Sequence, residues 1–164
     1  MEGKDGYTLI ELLVVIFIIG LFILTIPAYS KYAQQVKLKG AAEQVKSYLQ
    51  EAQSLALNPR GRERGAFPDA SGPCYQIFFN NNITANQGLM NIQTASTAVS
   101  SSSLSKDIIF SPAPSPVVFC QNDKGAVFNG AGTREITLYS TKLTKYIQVT
   151  IAQETGVIQT GNIY

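Results

Sequence analysis

Gly6-Tyr7-Thr8-Leu9-Ile10-Glu11-Leu12-Leu13-Val14-Val15-Ile16 begins an apolar run that continues to Ile26, with one carboxylate set inside it. Of the twenty residues from Tyr7 to Ile26, Glu11 alone carries a charge. As a helix the run is about 30 Å long, the thickness of a hydrocarbon core. A charge at mid-membrane costs on the order of 2.5–3.5 kcal/mol on insertion scales, and by default it marks a function. Glu11 also lies only about 6 Å along the axis from Tyr7, where headgroups relieve much of that cost. The carboxylate is thus either an interfacial side chain or a group held for pairing.

The flanks narrow the choice. Met1-Glu2-Gly3-Lys4-Asp5-Gly6 carries one Lys against two acids, so its side chains sum to −1. A secretory signal has a positive leader and a small-residue cleavage site beyond the core. Ile26-Pro27-Ala28-Tyr29-Ser30 fits such a site only loosely. The run reads as a membrane anchor rather than a conventional signal peptide.

Gly6 followed by Tyr7-Thr8-Leu9-Ile10-Glu11 and an aliphatic stretch resembles the class III signal of type IV prepilins and type II secretion pseudopilins. The resemblance implies cleavage after Gly6 by a prepilin peptidase and N-methylation of Tyr7. The usual first mature residue is Phe, so Tyr7 departs from the pattern while keeping an aromatic ring. Cleavage would leave a cationic amine on Tyr7, one helical turn from Glu11. That amine, or the amine of a neighbouring subunit, can neutralise the carboxylate, and a buried charge is tolerable only when paired. Glu11 would then fix the axial register of assembly, as a single buried polar residue does in a coiled coil. Pro27 either loosens the helix or marks the membrane exit.

Beyond Pro27 the pattern becomes amphipathic. Leu38, Ala41, Ala42, Val45, Tyr48, Leu49, Ala52, Leu55 and Ala56 form one apolar stripe at helical spacing, and Asn58-Pro59 stops it. A helix from Tyr7 to Leu57 would be about 76 Å long. After about Phe67 the chain turns to short β-branched and aromatic runs. Strands are expected at Cys74–Asn80, Leu89–Gln93, Asp107–Phe110, Val117–Cys120, Ala126–Phe128, Glu135–Tyr139, Tyr146–Ile151 and Val157–Thr160. Gln153-Glu154-Thr155-Gly156 would form the last hairpin turn. Thr94–Ser105, with its four-serine tract, and Pro112–Pro116 read as surface connections.

The expected fold class is α+β: a long N-terminal helix packed on an antiparallel β-rich head. The expected divisions are a leader at 1–6, a transmembrane and assembly helix at 7–27, an amphipathic helix at 28–57 and a head at 58–164. Val127–Gly132 followed by Ile136-Thr137-Leu138, Tyr146–Val149 and Thr155–Ile158 also resembles the end of GspH/FimT-type minor pilins and pseudopilins. The resemblance implies a minor pilin or pseudopilin, single-pass in a bacterial cell membrane, with its head extracytoplasmic. Its implied partners are other pilin subunits, the prepilin peptidase, an inner-membrane assembly platform and, before assembly, membrane lipids.

Cys74 and Cys120, the two cysteines, are either a disulfide or two buried thiols. Arg60, Arg62 and Arg64 gather three of the four arginines just past the helix stop. They suit phosphate contact and so a DNA-binding minor pilin for DNA uptake, or else they form a solvated loop. A mature chain would keep 12 Lys and Arg against 9 Asp and Glu, a net +3 that favours neither reading. The chain has no His and no Cys-x-x-Cys, so no metal, cofactor or catalytic site is expected.

Overall fold

A computed structural model describes residues 8–58, 74–94, 97–122, 125–128, 133–152 and 155–164, with side chains omitted at 24–28, 121–122 and 125–128. Chain contacts divide it into two units, Met1–Gln34 and Gln35–Tyr164. Helix α1 covers Leu9–Leu57 and remains helical through Pro27, despite the hydrogen bond that proline forfeits. It ends as the asparagine-proline pair predicts, with the Asn58 N–H bonded to Ser54 O at 2.9 Å.

The strands described are β1 (Cys74–Asn82), β2 (Gln87–Gln93), β3 (Ala98–Ser103), β4 (Ile108–Phe110), β5 (Val117–Asn122), β6 (Gly125–Phe128), β7 (Arg134–Ser140), β8 (Lys145–Ile151) and β9 (Ile158–Thr160). They form one sheet in the order β6-β5-β1-β2-β4-β7-β8-β9, with β3 pairing β2. All pairs are antiparallel except the single β2–β4 contact, Gln87 opposite Ile108. The fold class is α+β, as the change of period near Phe67 predicts.

Within the second unit, the stripe from Leu38 to Ala56 is buried against the inner sheet face. Leu55 alone among the expected stripe residues is only partly buried. The facing side chains include Ile77, Phe79, Met90, Ile92, Phe110, Phe119, Leu138 and Val149. Alanines at 41, 42, 52 and 56 keep that helix face narrow, while Leu38, Val45 and Leu49 fill the space between strands. Cys74 lies opposite Cys120 in the β1–β5 ladder, with Cα atoms 4.2 Å apart and their sulfurs bonded.

One expectation fails. Ser100 to Ser103 belong to strand β3 and not to a loop. Serine is a poor strand former in isolation, but the ladder with β2 and the helix together override that preference. Ser102 Oγ accepts from Gln44 Nε2 at 3.0 Å, as does Ser103 O. Ser100 hydrogen-bonds Tyr48, whose hydroxyl donates to Met90 O (3.4 Å) and accepts from Ile92 N–H (3.3 Å). Burial raises the Tyr48 phenol above its ordinary pKa, and the hydrogen bonds from Ser100 and Ile92 oppose the rise.

The two parts of the sheet meet at β4 through side chains more than through ladder. Asn81 pairs with the Phe110 backbone in both directions, donating to its O at 2.9 Å and accepting its N–H at 3.0 Å. Gln87 Nε2 donates to Leu104 O. Asn86 and Asp107 take positive φ (49° and 71°), a conformation that Asn and Asp tolerate better than most residues. From there Asn86 Nδ2 reaches Thr141 Oγ1 (2.9 Å), while Asp107 Oδ2 meets Lys142 Nζ (2.9 Å). The Lys142 hydrogen bond, chiefly, holds the Asp107 carboxyl below its usual pKa; Lys142 and Lys106 charge and an Asn86 hydrogen bond add to this against burial.

Candidate functional site

The first helical turn is built by its sequence. Thr8 immediately precedes α1, and its backbone O accepts the N–H groups of Glu11 (3.0 Å) and Leu12 (3.2 Å). Its Oγ1 also receives the Glu11 N–H at 3.4 Å. Thr-x-x-Glu is the capping-box pattern, and it places the carboxylate at the third helical position. There the unpaired N–H groups and the helix dipole favour a negative charge. Glu11 therefore has a local reason to sit at this position as well as the pairing role proposed below. The role of Thr8 was legible in the letters, through the threonine three residues before the acid, but reading the run as an anchor alone passes over it.

From Leu12 to Ile23 the helix is apolar on every face. Side chains from Leu9 to Ile23 are exposed in the isolated chain, most of them by about half or more of their surface. Leu9, Leu12, Leu13, Ile16 and Phe17 line a wholly apolar hollow on this surface. A contiguous apolar surface of this extent marks a membrane or protein contact. Among the described residues no helix is long and apolar enough to cross a membrane. The described apolar side chains span about 22 Å, short of the ~30 Å core, whereas the run in the sequence continues to Ile26.

Residues 1–26 match the family model of the prokaryotic N-terminal methylation motif. The chain opens on a class III prepilin signal. This signal is that of type IV pilins and pseudopilins, and it marks a pilin-like or pseudopilin precursor. Assembly with other pilin subunits and processing by a prepilin peptidase are what the signal implies. No curated protein and no solved structure matches the chain.

Of the residues singled out from sequence, Glu11 lies in the described first turn, and Cys74 and Cys120 face each other in the head. Gly6 and Tyr7 of the prepilin signal, Arg60, Arg62 and Arg64, and residues 129–132 of the expected Val127–Gly132 turn lie outside the described residues. Among the described residues no group of His, Cys, Asp and Glu could hold a metal ion.

Proposed function

We propose that this chain is a minor pilin or pseudopilin, a structural subunit of a type IV pilus or a type II secretion pseudopilus. The prepilin peptidase cuts after Gly6, and the new amino terminus on Tyr7 is methylated. The mature chain waits in the cell membrane, held by residues 7–27, with residues 28–57 and the head at 58–164 on the extracytoplasmic side. An inner-membrane assembly platform then moves it into the fibre.

The observation that carries this reading is the prepilin signal itself, whose helical residues Leu9–Ile23 leave their apolar side chains exposed on every face. Removing that surface from both water and lipid requires similar helices around it. Glu11 is the one charge in the packed region, and the amine of a neighbouring subunit's first residue is its natural counter-ion. The GspH/FimT-type resemblance of the last forty residues favours a minor subunit. The β7–β8 hairpin and the antiparallel β8–β9 pair are in keeping with it.

Intact mass and amino-terminal sequencing of the membrane-extracted chain, with and without a prepilin peptidase, test the reading. The expected product begins at N-methylated Tyr7 only when the peptidase is present. A chain that keeps Met1–Gly6 under both conditions is a membrane-anchored domain that never assembles. A subunit for DNA uptake would further show salt-dependent DNA binding that is lost on replacing Arg60, Arg62 and Arg64.

A further inference from the structure

Tyr29 and Tyr32 stand on α1 just beyond the apolar run, and neither serves the fold of its own unit. They are 75% and 66% exposed, and Lys31 between them is exposed as well. Two large aromatic rings left in water are a cost that the isolated chain does not explain. Their height along the helix does. Counted from Ile26, the last apolar residue of the run, Tyr29 lies about 4.5 Å further along the axis, Lys31 about 7.5 Å and Tyr32 about 9 Å. The headgroup layer on either side of a hydrocarbon core is about 5–8 Å deep, and a helical side chain leans toward the N-terminus, which brings the Tyr32 ring back to its outer edge. Tyrosine favours that layer, because its ring takes the apolar side and its hydroxyl the wet side. Lysine reaches lipid phosphate from the same level by extending its charged end.

We propose that Tyr29, Lys31 and Tyr32 form a membrane-interface belt that fixes how deeply the unassembled subunit stands in the bilayer. The partner is the phospholipid headgroup layer, and Lys31 supplies the complement to its anionic phosphates. The belt is continuous with the apolar surface from Leu9 to Ile23 and so rests on the membrane-anchor reading. Headgroups surround a spanning helix on every side. The three residues therefore need a common height and not a common face, which is why Lys31 can lie on another side from the two rings.

The absence of tryptophan from the chain makes the test direct. Full-length Tyr29→Trp, Tyr32→Trp and Phe17→Trp variants each carry one fluorophore. They are placed, at high lipid-to-protein ratio, in phosphatidylcholine–phosphatidylglycerol vesicles. The lipids carry bromine either near the glycerol end or near the end of the acyl chain. Tryptophan at 29 and 32 should be quenched more by the shallow bromines, and tryptophan at 17 more by the deep ones. Water-like emission and no quenching at 29 and 32, with position 17 still quenched, would overturn the belt and leave the anchor standing. Loss of quenching at all three positions would overturn the anchor reading too. Blue-shifted emission at 29 and 32 without quenching by either lipid would assign these rings to a second copy of the chain and overturn a lipid partner.

Discussion

Replacing Gly88 by alanine probes how tightly the head is built. Gly88 is on the inner face of β2, and a Cβ there would lie 2.8 Å from Leu104 Cδ1 and 2.9 Å from Phe110 Cε2. Carbon atoms in good contact sit about 3.5–4.0 Å apart, so both neighbours would have to retreat by at least roughly 0.6–0.7 Å. Leu104 and Phe110 are each 1% exposed, and the Phe110 ring is held edge-on to Phe79 at 5.2 Å, so neither can swing into solvent. Overpacking of this kind costs about 1–3 kcal/mol, and the lower unfolded-state entropy of alanine returns about 0.4–1 kcal/mol. The net loss should be about 1–2 kcal/mol, or roughly 3–8 °C in melting temperature. The assay is urea and thermal unfolding of the full chain in detergent micelles, followed by near-UV circular dichroism of the tyrosines. Gly40→Ala is the internal contrast, because a Cβ there meets nothing within 4 Å and the site is exposed on α1. It should stabilise the head by about 0.5–1 kcal/mol through helix propensity. Gly88→Ala with a midpoint at or above the parent's would show that the Leu104–Phe110 packing is loose and the reasoning wrong.

Glu11→Ala should lower the amount of subunit recovered in sheared fibres while leaving the head's urea midpoint unchanged; normal incorporation would remove the pairing role. Replacing Cys74 and Cys120 together by serine should cost about 4 kcal/mol in the chain-entropy model for a separation of 46 residues, read as a lower urea midpoint. An unchanged midpoint would show that the bond does not form in the native chain. Asp107 is held below its usual pKa by Lys142, so its contribution is present above the ordinary carboxylate value, about 3.9, and is lost as pH falls through the folded value. Asp107→Asn should therefore lower stability at pH 7 and converge with the parent in strong acid. Parallel pH profiles for the two proteins would contradict the Lys142 contact.

The helix and its buried stripe were legible because one helical period runs unbroken from Leu38 to Ala56 and a proline ends it. The strands were legible where apolar residues alternate, as in Ile136-Thr137-Leu138 and Ile147-Gln148-Val149. Strand β3 was not, because its serines have no periodicity of their own and depend on Gln44 and Tyr48, more than fifty residues away for Gln44 and Ser102. The β4 junction was hidden for a similar reason. The expected strand stops at Asn80, and nothing local says that Asn81 will stand in for a missing strand partner. At the candidate site, Glu11 was legible from its cost in an apolar run, whereas its helix-start role was missed although Thr8 three residues earlier carried the signal.

The β4 junction also bears on how long the head lasts once formed. β1, β2 and β3 follow one another as hairpins, as do β7, β8 and β9, so each group can close through short loops. Ile108–Phe110 pairs with β2 on one side and β7 on the other, so β4 has all its partners only once both groups are in place. Contacts that form late contribute little to the rate of folding and much to the rate of coming apart. Asn81, Asn86 and Asp107 are thus set to act as a kinetic clasp: weakening them leaves the head quick to fold and shortens the time that it stays folded.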